Sequence, residues 1–503
     1  MDSLTNIFTN IANGFGIAGT PENLMYGMIG VLLGTAVGVL PGLGPAVAIS
    51  LLLPITFGME PISAFIMFGG IYYGAMYGGA MTAILVNTPG CSSSVVTTFD
   101  GHPLAKKGRA GTALLTAIIG SFIGGTFATL MLMLVAPALV ELSLLFGPPE
   151  YFSLMLLALV MVATIGGNSL VKSLFATFLG IAIAMIGIDM QTGTARLTFG
   201  LPELYSGINI VLAGIGLFAV GESLWVLSGQ DDKGKSQFDS AQSKLGMSNF
   251  EWVRSAYAWL RGTVIGFFAG ILPGSGGTIA AFMAYGVEKK FSKRPEEFGQ
   301  GAVEGVAAPE AANNAAAGGS MVPLLALGIP GSATTAVMLV AFQMYGLQPG
   351  PLLFQNSGDL VWGLIASLYI ANILLVVINV PLVGLWSKLL KVPSGLLYSS
   401  VIVFSILGAF SLKGSISDTI IVFVLGILAF TLRRFNFPIA PVLLGVVLGP
   451  LIEQEFRRSL SISTGDFTIF FTRPIALGFL TVIALFLLSA VVKQLRATKP
   501  VTR

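Results

Sequence analysis

The residues of this chain that could do chemistry gather where proline and glycine break long apolar runs. Four stretches stand out: Leu40-Pro41-Gly42-Leu43-Gly44, Asn87-Thr88-Pro89-Gly90-Cys91-Ser92-Ser93-Ser94, Leu272-Pro273-Gly274-Ser275-Gly276-Gly277-Thr278, and Ile329-Pro330-Gly331-Ser332-Ala333-Thr334-Thr335. Proline removes a backbone donor and glycine loosens the turn, so each stretch frees N–H and C=O groups in apolar surroundings. At membrane depth such groups persist only where protein or a water-filled cavity satisfies them. Helix N-termini opened there favour an anion, and unwound carbonyls can hold a cation such as Na⁺. Pro41, Gly42, Leu43, Gly44, Pro273, Gly274, Ser275, Gly276, Gly277 and Thr278 are therefore candidate solute-binding positions. Asn87, Thr88, Pro89, Gly90, Ser92, Ser93, Pro330, Gly331, Ser332 and Thr334 join them as neutral donors and acceptors and the turns that carry them. Na⁺ is assigned to Gly42, Asn87, Gly274, Ser275, Gly331 and Thr335. None of the four stretches contains Lys or Arg, which suits an anion that must be released as readily as it is bound.

A fifth group lies in Gly305-Val306-Ala307-Ala308-Pro309-Glu310-Ala311-Ala312-Asn313-Asn314. Helical spacing puts Asn313 and Asn314 on the face of Glu310, at i+3 and i+4, and both join the solute-binding candidates. A carboxylate inside a membrane is a candidate for coupling or gating. The alternative is that Pro309 opens a helix and Glu310 is a first-turn acid complementing its dipole. Tyr72, Tyr73 and Tyr77 recur on one side of a span and read as aromatic packing, with a solute path as the alternative. Asp189, Arg196, Arg457 and Arg458 read as charges at membrane boundaries or subunit contacts. His102 reads as a loop residue and Cys91, the single cysteine, as small apolar packing, which excludes an internal disulfide. One His and one Cys, apart from any plausible base, give no catalytic constellation. The Gly-Leu-Gly-Pro sequence has no preceding strand and no Gly-Lys-Ser/Thr ending, so it is no nucleotide cradle, and no nucleic-acid partner or organic cofactor is expected.

These residues need a scaffold of membrane helices. Of 503 residues 54% are hydrophobic and 10% charged, and the mean hydropathy is +0.87, well outside the soluble range. Apolar runs long enough to cross a bilayer recur, giving about eleven to thirteen helical membrane elements. The alternation of an outer-membrane barrel is missing, so a multi-pass protein of a bacterial inner membrane is expected. The first residues lack the basic flank of a cleavable signal.

The chain also repeats itself. Gly34–Ala48 aligned with Gly266–Ala280 matches at seven of fifteen positions, and Gly78–Val96 resembles Gly319–Val337 in the same order. A weaker third pair sets Gly187–Leu197 beside Gly449–Ser459. The organisation expected is an N-terminal segment (1–22), a first repeat (23–228), a polar linker (229–250), a second repeat (251–492) and a basic tail (493–503). Lys106, Lys107 and Arg109 follow the second stretch, whereas Lys289, Lys290, Lys293 and Arg294 follow the third. Because cytoplasmic loops collect Lys and Arg, equivalent loops fall on opposite sides, as in an inverted-topology repeat. Each Leu-Pro-Gly stretch then reads as the tip of a re-entrant helical hairpin, and the second and fourth stretches as interruptions of a transmembrane helix. Linker and tail would be cytoplasmic.

Two long motifs, Gly38–Gly90 and Gly305–Gly331, resemble the large membrane subunit of the tripartite tricarboxylate transporters, the TctA family. The resemblance implies an importer of tri-, di- or aromatic carboxylates, driven by a cation gradient usually taken to be Na⁺. It also implies two partners, a small four-helix membrane subunit and a periplasmic solute-binding protein. Looser similarity to carriers with inverted hairpins implies an elevator-type movement. A stand-alone carrier or channel for organic anions is the competing function class.

Overall fold

The computed structural model describes residues 2–40, 43–165, 169–189, 192–229, 246–274, 276–389 and 393–497. Pro41, Gly42 and Ser275 lie outside these residues. The described chain is helical, apart from one two-stranded hairpin. In the first half the helices are α1 (Asp2–Ala18), α2 (Pro21–Val39), α3 (Pro45–Thr56), α4 (Pro61–Val86), α5 (Thr97–Leu104), α6 (Ala110–Ser143), α7 (Pro148–Ile165), α8 (Leu170–Ala184), α9 (Ile210–Gly214) and α10 (Gly221–Leu227). The second half holds α11 (Asn249–Ile271), α12 (Gly276–Phe291), α13 (Glu304–Leu327), α14 (Ala333–Met344), α15 (Pro351–Asn356), α16 (Gly358–Leu389), α17 (Ser394–Lys413), α18 (Ile416–Arg434), α19 (Ala440–Ile462), α20 (Ile469–Thr472) and α21 (Pro474–Ala497). Five helical stretches are long and apolar enough to cross a bilayer, at 21–39, 97–143, 210–227, 358–386 and 416–434, and six shorter apolar helices accompany them.

Two helices form the core. Every residue of α4 from Ser63 to Leu85, and of α13 from Glu304 to Ala326, is buried. Their small residues let neighbouring backbones approach closely, the packing that replaces the hydrophobic effect between membrane helices. Gly30, Gly34 and Gly38 of α2 lie against the carbonyls of Met67, Ile71 and Ala75 of α4, where an added Cβ would sit 2.3, 2.4 and 2.4 Å from the oxygen. Gly262, Gly266 and Gly270 of α11 lie in the same way against Ala308, Ala312 and Ala316 of α13, at 2.2, 2.3 and 2.4 Å. Around this core the outer helices turn apolar side chains outward. On α11 Phe250, Val253, Tyr257, Leu260, Val264 and Phe268 form one exposed stripe at helical spacing, as expected of a lipid-facing surface.

The sequence-based expectation differs from the structure in three places. The second and fourth stretches do not interrupt a helix midway: α4, at 26 residues, and α13, at 24, run to completion and are stopped by left-handed residues, Asn87 (φ 56°) and Gly328 (φ 70°). A left-handed C-cap followed by Pro ends a helix firmly. The third repeat pair is not a structural pair, because Gly187–Ile188 and Ala195–Arg196 form the hairpin whereas residues 449–459 lie within α19. These two segments meet instead: Arg196 pairs with Glu453 at 2.7 Å and Arg457 with Asp189 at 3.0 Å. His102 is no loop residue; it lies in α5, buried, its Nδ1 3.1 Å from the carbonyl of Ile84.

One ion pair fastens the third stretch. Arg261 on α11 binds Glu288 on α12 through two bonds of 2.7 Å, with the Glu288 side chain 2% exposed. Removing the partner of a buried carboxylate is costly, so Arg261→Met should lower stability by about 3 kcal/mol. Pairing that change with Glu288→Met should restore most of it. The thermal midpoint of the detergent-solubilised protein measures both.

Candidate functional site

The site is made by backbone that doubles back. After Asn87 the chain does not continue away from α4 but returns alongside it, so that the Gly90 N–H bonds the Gly79 carbonyl at 3.4 Å. Gly90 is also pressed against α2, where an added Cβ would meet the Gly38 carbonyl at 2.1 Å. The fourth stretch repeats the manoeuvre. Gly331 returns to the level of Ser320 and sits against the Gly270 carbonyl, each within 2.9 Å of an added Cβ. Pro89 and Pro330 keep these returns from becoming helical.

The described parts of all four stretches converge. Gly44, the N-cap of α3, lies against Cys91, with 3.8 Å between an added Cβ and the Cys91 Cβ. Thr278 donates to the Ser92 hydroxyl at 2.9 Å, joining the third stretch to the second. The Gly274 N–H donates to the Gly331 carbonyl at 3.0 Å, joining the third to the fourth. Gly274 has a φ of +81°, and an added Cβ would lie 2.5 Å from the Cα of Val162, so only glycine fits there. Leu43 is buried, and Thr334 is buried beside Thr335. Ser332 and Thr335 cap α14 reciprocally, which engages the Thr335 hydroxyl. Asn87 is exposed at its turn and Thr88 bonds back to the Val86 carbonyl, so these two stand outside the cluster.

Tyrosines carry hydrogen bonds here as well as packing. The Tyr72 hydroxyl lies 3.1 Å from both Ser320 Oγ and Ser332 Oγ, and that of Tyr73 lies 3.2 Å from Thr129 Oγ1. Cys91, read as apolar packing, places its sulfur 3.0 Å from Ser93 Oγ and 3.2 Å from Ser94 Oγ. Glu310 is fully buried on α13. It is not a first-turn acid, because α13 begins six residues earlier, with Glu304 in that place. Thr97 donates to one of its carboxylate oxygens; the other, Oε2, has no hydrogen-bond partner among the described residues. Asn314 donates to Ser121 at 2.7 Å, while Asn313 has no partner among the described residues at either amide atom.

Sequence reasoning missed Ser320, Thr97 and Asp100. Asp100 is wholly satisfied, accepting the N–H groups of Gly299, Gly301 and Ala302 at 2.8 Å and the Tyr285 hydroxyl at 2.9 Å. It fixes the first turn of α5 to the loop before α13. Nearby, Arg254 bonds Glu297 at 2.6 Å and also Glu304, and it holds the Glu297 carboxyl below the usual carboxylate range. That contribution is present at neutral pH and fades as pH falls through the lowered value.

What the cluster can do chemically is bind reversibly. Among the described residues it offers backbone amides, hydroxyls and carboxamides, and no side-chain cation.

Residues 24–444 match the family described as "Tripartite tricarboxylate transporter TctA family". An uncharacterized 52.8 kDa protein in the TAR-I ttuC' 3' region of Agrobacterium vitis is 46% identical over 479 residues, covering 95% of each chain. A second uncharacterized protein of that organism, in the TAR-II ttuC' 3' region, is 47% identical over 215 residues, covering 43% of this chain and 89% of its own. No solved structure matches.

Proposed function

Because the chain belongs to the TctA family of tripartite tricarboxylate transporters, a family of membrane transporters, we propose that it is the permease subunit of a binding-protein-dependent secondary importer of carboxylates. The observation that carries this reading is the meeting of the described parts of the four stretches, rich in neutral donors, at the ends of two buried helices. In this reading a cation gradient, Na⁺ by expectation, drives uptake into the cytoplasm across the inner membrane. A small membrane subunit and a periplasmic solute-binding protein complete the assembly.

The two halves are read as inverted repeats, each with a re-entrant hairpin and a core helix ending in a folded-back Pro-Gly loop. The six glycine-on-carbonyl contacts at matched positions support this. The charge bias of the loops supports opposite orientations, with Lys107 and Arg109 meeting Gln300 and Glu251 on the cytoplasmic side. In this reading the site moves by an elevator-type displacement, which two inverted hairpins would support.

Uptake of a labelled tricarboxylate into proteoliposomes tests the function. The expected result is uptake that needs both the periplasmic protein and an inward cation gradient. Full-rate uptake without either would sink the reading.

A further inference from the structure

The two halves use one equivalent position in opposite ways. The glycine contacts fix the register, Ile71 of α4 corresponding to Ala312 of α13, so the next residues, Tyr72 and Asn313, correspond too. Tyr72 reaches across to the fourth stretch, where Ser320 and Ser332 occupy its hydroxyl. Asn313 reaches across to the second and third, and there it is fully buried with Oδ1 and Nδ2 both unpartnered among the described residues. A buried carboxamide in that state is unfavourable unless something else meets its hydrogen bonds.

Its surroundings say what would. An added Cβ on Gly277 would lie 2.4 Å from Asn313 Oδ1 and 3.2 Å from the Ser93 Cβ, so the amide is aimed at the start of α12. That helix has 16 residues and begins at Gly276, so its first N–H groups lack helical acceptors and carry the positive end of the dipole. The Ser92 and Thr278 hydroxyls stand beside it, and Ser92 is exposed.

We propose that the chain has a single carboxylate cradle, formed by Asn313, the first turn of α12 at Gly276–Thr278 and the hydroxyls of Ser92 and Ser93, and that Tyr72 closes the equivalent place in the other half. This rests on the transport reading above and narrows it from four stretches to one corner. The carboxylate accepts the α12 N–H groups, the serine hydroxyls and, with the carboxamide turned to present Nδ2 in place of Oδ1 toward Gly277, one amide hydrogen of Asn313. Without a side-chain cation the bond is weak enough to be reversed on the other side of the membrane.

The test uses the full chain in lipid nanodiscs, with citrate, succinate and benzoate as probes and two readouts, ligand affinity and the thermal midpoint without ligand. Asn313→Leu is expected to weaken binding by about 10- to 100-fold while leaving the ligand-free midpoint unchanged or raised, since an apolar side chain of similar size replaces an unpartnered amide. Tyr72→Phe should do the reverse, lowering the midpoint and keeping affinity within about threefold. Unchanged affinity in Asn313→Leu, or an equal loss in both variants, overturns the proposal. Should Asn313→Leu not fold, Gly277→Ala takes its place, because its Cβ would enter the cradle against Asn313; affinity at the wild-type level then overturns it. If the wild type itself binds none of the three probes, the transport reading falls and the cradle falls with it.

Discussion

Gly270→Val should leave almost no correctly folded protein. An added Cβ there would lie 2.4 Å from the carbonyl of Ala316 and 2.7 Å from its Cα, and these are backbone atoms that no rotamer change can move. The same residue supplies the carbonyl on which Gly331 rests, so displacing α11 also displaces the fourth stretch. Overpacking of this kind costs about 3 kcal/mol or more, a large part of the stability of any domain. Gly38→Val should fail in parallel, because Gly38 stands against Ala75 and carries Gly90 in the same way. Gly286→Val is the control: nothing lies within 4 Å of a Cβ added there. Fluorescence-detected size exclusion of the three variants reads the outcome. A monodisperse, wild-type-like peak for Gly270→Val would show that the glycine contacts are not what holds α11 against α13.

Glu310→Gln should give the opposite phenotype, an intact protein that no longer concentrates solute. Glutamine keeps the size of the side chain and can still accept the Thr97 hydroxyl, so the packing of α13 is preserved. What disappears is the one carboxylate buried on that helix beyond its first turn, with an oxygen left unpartnered. Ionisable groups placed so deep belong to ion or proton pathways far more often than to scaffolding. On the transport reading, gradient-driven accumulation falls by at least about tenfold, the equivalent of 1.4 kcal/mol, while carboxylate binding and the thermal midpoint stay near wild type. Accumulation at the wild-type level would remove Glu310 from the coupling path. A collapse of the midpoint would make it a structural acid held by Thr97.

Much of this was legible in the residues, because proline, glycine and small-residue patterns state their consequences locally. Pro41, Pro89, Pro273 and Pro330 mark where helices end, and the spacing of Gly30, Gly34 and Gly38 is the spacing of a helix-contact stripe. Where helices end relative to the membrane was not legible. Pro-Gly can break a helix at its middle or stop it at its end, and only the left-handed Asn87 and Gly328, after 26 and 24 helical residues, decide for the second. The alternative reading of Glu310 as a first-turn acid fails for a related reason: Pro309 resembles a helix start, but Glu304 and the four residues after it already continue the helix through it. The pairing of Thr97 with Glu310, 213 positions apart, has no local signature at all. Nor does the inequality between Tyr72 and Asn313, which appears only when the two halves are superposed residue by residue through their glycines.

The burial of α13 also governs how the chain can be made. With Glu310, Asn313, Asn314 and Ser320 among alanines and glycines, it falls short of the apolarity at which a span enters lipid alone, and it is not among the five that reach it. Its shelter comes from α11 and α6, through Gly262, Gly266 and Gly270 on one side and Gly124 against Ala311 on the other. The helix enters the bilayer as a passenger of neighbours already there. Both neighbours precede α13 in the chain, α6 in the first half and α11 in the second, so the order of synthesis presents them before the helix that needs them; exchanging the halves in the gene would leave α13 with α11 alone and without the α6 surface that carries Gly124.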